Sequence, residues 1–379
     1  YRIMVVSCIV PGNHSRSYRR SPFRKERSTP IMPGEVLFLE VARGCIFRCA
    51  FCAFPMNGKK KFDFIRSMDN IYAELVDNYE RFGTTRYFLV DDTVNDSPEK
   101  CKMLYDMAQR LPFKLEWWGY IRLDLLAAHP QTVDWLFGSG LRAAFFGIET
   151  LNSRTAKAIG KSGNTEKLIE TLRKIKQAYG DEVNLHGSFI YGLPHESVES
   201  LNSTSEFLLS DQNPLDSWWA YPLVIKKRTE TDLYGFTSDL DMNYEKFGYE
   251  DQGDNPNDDG AYVYNKKLLS ALNWKNECTT IEEAENLVND LLARAMKADC
   301  STLLGLTSFD IAGLGQPLSY ALNKRLSEID WYHVDKMKIM RAREYKRRLY
   351  ENLRISPIPE TFNVKTYTMW LVANSKIKP

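Results

Sequence analysis

Between residues 35 and 235 short β-rich runs alternate with helical runs, and this alternation limits the possible folds more than any other feature of the chain. The β-rich runs are 35–41, 86–90, 115–120, 143–148, 183–190 and 218–224, giving six units. Between them, 67–82, 98–111, 131–137, 166–178 and 197–209 space their apolar residues as amphipathic helices do, with Ser67 placed to cap the first and Gly83 to end it. A strand, a crossover helix and a second strand form a unit that pairs in parallel and buries both faces of a sheet. Eight such units close a barrel, so six predict an α/β fold in the form of a partial (β/α)6 TIM-like barrel, open on one side. In barrels of this kind the loops after strand C-termini converge on one mouth, where chemistry is expected.

Beyond residue 235 the pattern changes. An acidic loop at 251–260 reads as solvated, and helical runs follow at 281–298, 304–315 and 329–353, then a β-like run at 361–373. Three parts are therefore expected: an N-terminal extension (1–34), a core barrel (35–235) and a mainly helical C-terminal extension (236–379) that covers the mouth and shapes substrate access. The chain has 379 residues, 44% of them hydrophobic, enough for a full core. Fifty basic against forty-nine acidic residues leave a net charge of +1, so no global field draws the chain to nucleic acid or lipid. No apolar run approaches the roughly 20 residues of a membrane span, and residues 1–10 lack the flank and cleavage site of a secretory signal. Seven cysteines, three of them within eight positions, suit a metal better than disulfides and predict a reducing, cytoplasmic setting.

Those three follow the first β-rich run directly, in Arg43-Gly44-Cys45-Ile46-Phe47-Arg48-Cys49-Ala50-Phe51-Cys52. Thiolates at intervals of four and three residues can wrap one loop around a face of an iron-sulfur cube, leaving its fourth iron open. Structural zinc is the plainer alternative, but it wants a further Cys or His pair. The neighbouring histidines, His14 and His129, and the scattered Cys8, Cys101, Cys278 and Cys300 form none.

The spacing, with Phe51 just before the last cysteine, resembles the signature of the radical S-adenosylmethionine (SAM) superfamily. The resemblance implies a 4Fe-4S cluster on Cys45, Cys49 and Cys52 and SAM on the open iron. It implies a reductant such as flavodoxin or ferredoxin, and hydrogen abstraction from a substrate by the 5'-deoxyadenosyl radical. It extends from residue 35 to 224. Phe88-Leu89-Val90-Asp91-Asp92-Thr93 stands where the family often has Gly-Gly-Glu for the SAM ammonium; the glycines are missing, and Asp91 or Asp92 either takes that bond or caps the next turn. Phe146-Gly147-Ile148-Glu149-Thr150 is similar to a fourth-strand motif of the cobalamin-associated and methylthiotransferase-like branch. It offers Glu149 to the ribose or amino-acid end of SAM. In the run from Gly187 to Glu196, Ile190 and Gly192 would lie beside the adenine. Arg122 is a candidate for the SAM carboxylate or a substrate anion, with an ion pair to Asp124 or Glu149 as the alternative.

Forty-four residues precede Cys45 without an Asp-x-His-x-x-Gly run, so no cobalamin domain is expected in this chain. Cys278 could return a hydrogen atom to a substrate radical or be a bystander thiol. Basic residues gather between Arg16 and Arg27, between Lys336 and Arg348, and at Lys59, Lys60 and Lys61. They open a nucleotide or modified nucleic acid as substrate, beside a peptide or small metabolite. An iron-sulfur protein that has lost SAM cleavage is the reading from a different class.

Overall fold

The computed structural model describes residues 36–54, 56–227, 237–253 and 272–298. The N-terminal extension, the basic clusters at 16–27 and 336–348, most of the acidic loop, the runs at 304–315, 329–353 and 361–373, and Cys8 and Cys300 lie outside the described residues.

Six parallel strands pair in simple sequence order: β1 (Leu37–Leu39), β2 (Arg86–Leu89), β3 (Glu116–Ile121), β4 (Leu141–Glu149), β5 (Asn184–Tyr191) and β6 (Ser217–Pro222). This is the partial barrel the alternation predicts. Each strand lies within two residues of the run expected for it.

The strands alternate between two faces, as the pleat requires. Leu37, Leu39, Tyr87, Leu89 and Trp117 are buried on the convex face. Helices cover that face: α1 (Met68–Phe82), α2 (Pro98–Gln109), α3 (Leu123–Ala128), α4 (Gln131–Gly138), α5 (Ser153–Ala158), α6 (Thr165–Tyr179) and α7 (Val198–Leu209). Their starts are set chemically. Ser67, Ser97, Asn164 and Ser197 each accept a backbone N–H of the first turn, worth about 1 kcal/mol apiece. Gly83, at φ 66°, ends α1 in the left-handed conformation that glycine allows. Leu168, Leu172 and Ile175 form the buried stripe of α6.

After a short α8 (Asp239–Met242), β7 (Glu250–Asp251) pairs antiparallel with β8 (Trp274–Lys275), and α9 (Ile281–Lys297) follows. Thr280 and Glu283 bond reciprocally at the start of α9, a capping box. Ile281, Ala284, Val288, Leu291 and Ala295 are buried, and α9 packs on β5, β6 and α7. Trp274 donates to the Leu223 carbonyl (2.9 Å) and Tyr249 to that of Gly192 (2.7 Å). α9 is the outer helix of the sixth strand, in the same compact unit as the sheet. Among the described residues no helix is long and apolar enough to cross a membrane.

Candidate active site

The loop after β1 carries all three motif cysteines at the C-terminal end of the sheet, and backbone bonds hold it on both sides. Gly58 N–H donates to the Cys45 (2.7 Å) and Phe47 (3.0 Å) carbonyls, and Cys52 N–H donates to that of Cys49 (3.0 Å). Ala50 ties the loop to the end of α5 through Ile159 (3.1 Å), and Leu240 of α8 donates to the Ala50 carbonyl (2.9 Å). Gly44 sits at φ 72°, and a Cβ there would fall 2.7 Å from the Met56 carbonyl oxygen, so the turn into Cys45 requires glycine.

None of the three thiols is in a disulfide. Burial pushes the Cys52 thiol up, so ligation would displace a proton from it. Cys45 Sγ lies 3.3 Å from Thr93 Oγ1, and Cys49 Sγ accepts Arg122 Nη1 at 3.5 Å.

Arg122 follows β3, and its two other nitrogens are engaged as well. Nε and Nη2 make a fork with Asp124 (2.9 and 2.5 Å), and the guanidinium lies 3.7 Å over the Phe47 ring of the cysteine loop. Burial works against the Asp124 charge, yet the Arg122 guanidinium outweighs it and holds that carboxyl below its usual range. Arg122 thus pairs with Asp124 and directs a third nitrogen at Cys49.

Asp91 is also committed. Its oxygens accept Val41 N–H (2.7 Å) and Ala42 N–H (2.9 Å), and Lys100 Nζ sits 2.9 Å away. It anchors the exit of β1 through these three partners. Asp92 is half-buried beside the Gly44 backbone. Burial and its neighbour Asp91 raise its carboxyl to about 6, against the pull of Lys59. Lys59 is not part of an exposed basic patch either: its side chain is buried 3.8 Å from Asp96, while Lys61 pairs with Glu99 (2.8 Å).

Glu149 ends β4 at a register irregularity between Gly147 and Glu149, in a left-handed φ of 69°. That conformation costs a non-glycine residue about 1–3 kcal/mol. The carboxylate is buried, which raises its pKa against the pull of Lys161 and Arg122. Lys161 Nζ lies 3.6 Å from Oε1, donates to the Gly147 carbonyl (2.9 Å) and stands 5.8 Å from the centre of the Phe51 ring. Glu149 Oε2 has no hydrogen-bond partner among the described residues. Lys161, which the sequence did not single out, thus joins Phe51 to Glu149 across the rim.

Ile190 is buried on the concave face at the end of β5. Gly192 has a φ of 92°, and a Cβ there would lie 2.3 Å from the Trp274 ring. Its N–H donates to Glu196 (3.2 Å) and its carbonyl accepts Tyr249, so the glycine seats β8 and α9. Cys278 lies on the turn before α9, beside Glu277 and Arg154. None of its described contacts reaches Cys45, Cys49, Cys52 or Glu149, which gives the hydrogen-donor reading no support.

Among the described residues no three His, Cys, Asp or Glu side chains converge on one ion-sized point. Three soft sulfurs from one loop match an iron-sulfur body in which each sulfur binds its own iron. The buried, unpartnered Glu149 Oε2 is an acceptor suited to a cationic group at the same rim.

Comparison with known proteins agrees. Residues 39–208 match the model of the Radical SAM superfamily. An uncharacterised methyltransferase of Pyrococcus horikoshii is 24% identical over 193 residues, covering 50% of this chain and 40% of that protein. The ribosomal protein uS12 methylthiotransferase RimO of Thermodesulfovibrio yellowstonii is 23% identical over 185 residues, covering 47% and 42%. The chain thus spans about two fifths of the length of these curated relatives. In fold it is similar to the radical S-adenosylmethionine methyltransferase TsrM from Kitasatospora setae, with a TM-score of 0.50 and 15% identity over 82% of this chain and 62% of that one. The matched segment, residues 39–208, begins just before the cysteine loop and runs from the end of β1 into α7, so this part of the chain is a radical SAM domain, of the family of enzymes that use a 4Fe-4S cluster and SAM.

Proposed function

We propose that the chain is an enzyme that cleaves SAM reductively and begins its reaction by taking hydrogen from a substrate. Cys45, Cys49 and Cys52 would hold the 4Fe-4S cluster. When bound and reduced by a protein such as flavodoxin or ferredoxin, the cluster supplies the electron that breaks a carbon-sulfur bond of SAM, and the deoxyadenosyl radical so formed takes the hydrogen.

The residues of the chain divide the remaining work. Glu149 accepts the SAM ammonium at Oε2, with Asp92 as a second acceptor across the mouth. Arg122, fixed by Asp124 and Phe47, donates to the Cys49 sulfur and lowers the electron density that a bound cluster carries. Lys161 keeps Glu149 and Phe51 in place, and Ile190 contributes apolar wall beside the cofactor. The observation that carries this reading is Glu149, a carboxylate held in a costly backbone conformation, buried, with one oxygen unpartnered, on the rim that carries three unbridged thiols.

Anaerobic reconstitution, reduction with dithionite and measurement of 5'-deoxyadenosine test it. Product in the wild type and none in Cys45→Ala is expected. An intact cluster that forms no product with SAM would leave the iron-sulfur binding reading in its place. The curated relatives favour transfer of a methyl or methylthio group as the overall reaction to assay next.

A further inference from the structure

The concave face of the sheet, below the rim, is built of rings. Phe38, Phe88, Tyr120 and Phe145 run across four adjacent strands to His186 on the fifth. Successive ring centres are 5.9, 5.8, 5.1 and 4.6 Å apart, the first three contacts edge to face. Register places these side chains on two neighbouring rows. Phe38 pairs with Phe88, then Trp118, Ala143 and Asn184; Tyr120 pairs with Phe145, then His186 and Ser217. Neither row contains a lysine, arginine, aspartate or glutamate. The rings are not a sealed core, since Phe38 is 59% exposed, Tyr120 36% and, further along β6, Tyr221 38%. The band is continuous with the site above it, because the Asp92 carboxylate is near enough to push the Tyr120 hydroxyl further up after burial has raised it.

His186 gives this face a polar point. Its Nδ1 lies 2.8 Å from Ser217 Oγ, and that hydroxyl donates to Asn184 Oδ1 at 3.5 Å. In the tautomer with its proton on Nδ1, the ring donates to Ser217 Oγ, and Nε2 is left as a lone-pair acceptor. His186 is 2% exposed and Nε2 has no partner among the described residues. Burial pushes the ring down to about 3, so it stays neutral and cannot serve an anion.

We propose that the substrate presents a flat, uncharged ring bearing an N–H, which lies against this aromatic band and donates to His186 Nε2. The proposal rests on the radical SAM reading for the mouth above, and it deepens that reading by naming a substrate class. It turns away from the nucleic-acid substrate the basic clusters suggested: rings stack on rings and bury apolar area, whereas phosphates would meet two uncharged rows. A buried acceptor left without a donor selects ligands that bring one.

The test uses the full chain, reconstituted anaerobically with SAM at saturation, and measures binding of indole, 1-methylindole and AMP by calorimetry. The two indoles differ by one ring N–H. The expected result is that indole binds about fivefold more tightly than 1-methylindole, the size of one neutral hydrogen bond. His186→Phe should bring the two to equal affinity. Because that comparison is made within one variant, a loss of its stability does not confound it. Phe145→Leu, which keeps most of the volume, should weaken both indoles alike. Equal binding of the two indoles by the wild type would overturn the proposal. So would a preference that survives in His186→Phe, tighter binding of AMP, or indole that binds only when SAM is left out. Measuring 5'-deoxyadenosine in the same wild-type preparation separates the two levels: product with no indole preference sinks only the substrate class, and no product sinks the reading beneath it.

Discussion

Two carboxylates stand at the C-terminal ends of the sheet, and they are built in opposite ways. Asp91, after β2, has both oxygens on backbone N–H groups and a buried lysine beside them. Glu149, at the end of β4, holds a left-handed backbone and keeps one buried oxygen without a partner. A buried charge with all its bonds made fastens the cysteine loop to the sheet; a buried charge with a bond missing has an acceptor to spare for a ligand. The sequence offered both as acceptors for SAM, and only their surroundings tell them apart.

Removing the fastening should have the largest effect. Burial opposes the charge on Lys100, but Asp91 and Asp96 outweigh it and hold its pKa above the ordinary value. Lys100→Met leaves those carboxylates buried without a cation and is expected to cost about 3–5 kcal/mol in chemical denaturation. A cost under about 1 kcal/mol would remove the distinction between the two ends.

Glu149→Gln should reverse the pattern. Stability stays within about 1 kcal/mol of wild type, because a neutral amide escapes the burial penalty, while SAM binding weakens about 10- to 100-fold. Equal loss of stability and binding would make Glu149 a fastening as well.

Glu196 sharpens the contrast through pH. Burial raises its carboxyl from about 4.5 to about 7, against bonds from Thr150, Leu193 and Gly192. Between those values the native state holds a proton that the unfolded chain has released, so its contribution to stability falls as pH rises through this window. Glu196→Gln lacks the group. Wild type should therefore lose stability relative to the variant by about 2–3 kcal/mol from pH 4.5 to 7.5. Parallel curves would refute the assignment.

Arg122→Met removes a cation from beside a cluster ligand. A midpoint potential lower by some tens of millivolts in an EPR-monitored titration is expected, since one donor to one sulfur is lost. The smallest effect is at Cys278, where alanine should leave product formation unchanged.

How much of this the sequence disclosed follows from how local each signal is. The strands and the longer helices were legible because their apolar spacing is written within ten or so consecutive residues. The six-residue helices α3 and α5 are too short to show a period. The cysteine loop was legible because its ligands lie on one turn. The role of α9 was not, because its partners, Gly192 and β6, come some sixty to ninety residues earlier. The partners of Asp91 are hidden for the same reason: the N–H groups it accepts belong to Val41 and Ala42, fifty and forty-nine residues away. Arg122 reaches Cys49 across seventy-three residues. Lys161 carries no motif, and only the fold brings it to Glu149.

The most direct test of the central claim is the EPR spectrum of the reduced, reconstituted chain recorded against SAM concentration. The account predicts a cluster signal that changes saturably with SAM in the wild type, with half-saturation about 10- to 100-fold higher in Glu149→Gln. A spectrum indifferent to SAM, or the same half-saturation in both proteins, would contradict it.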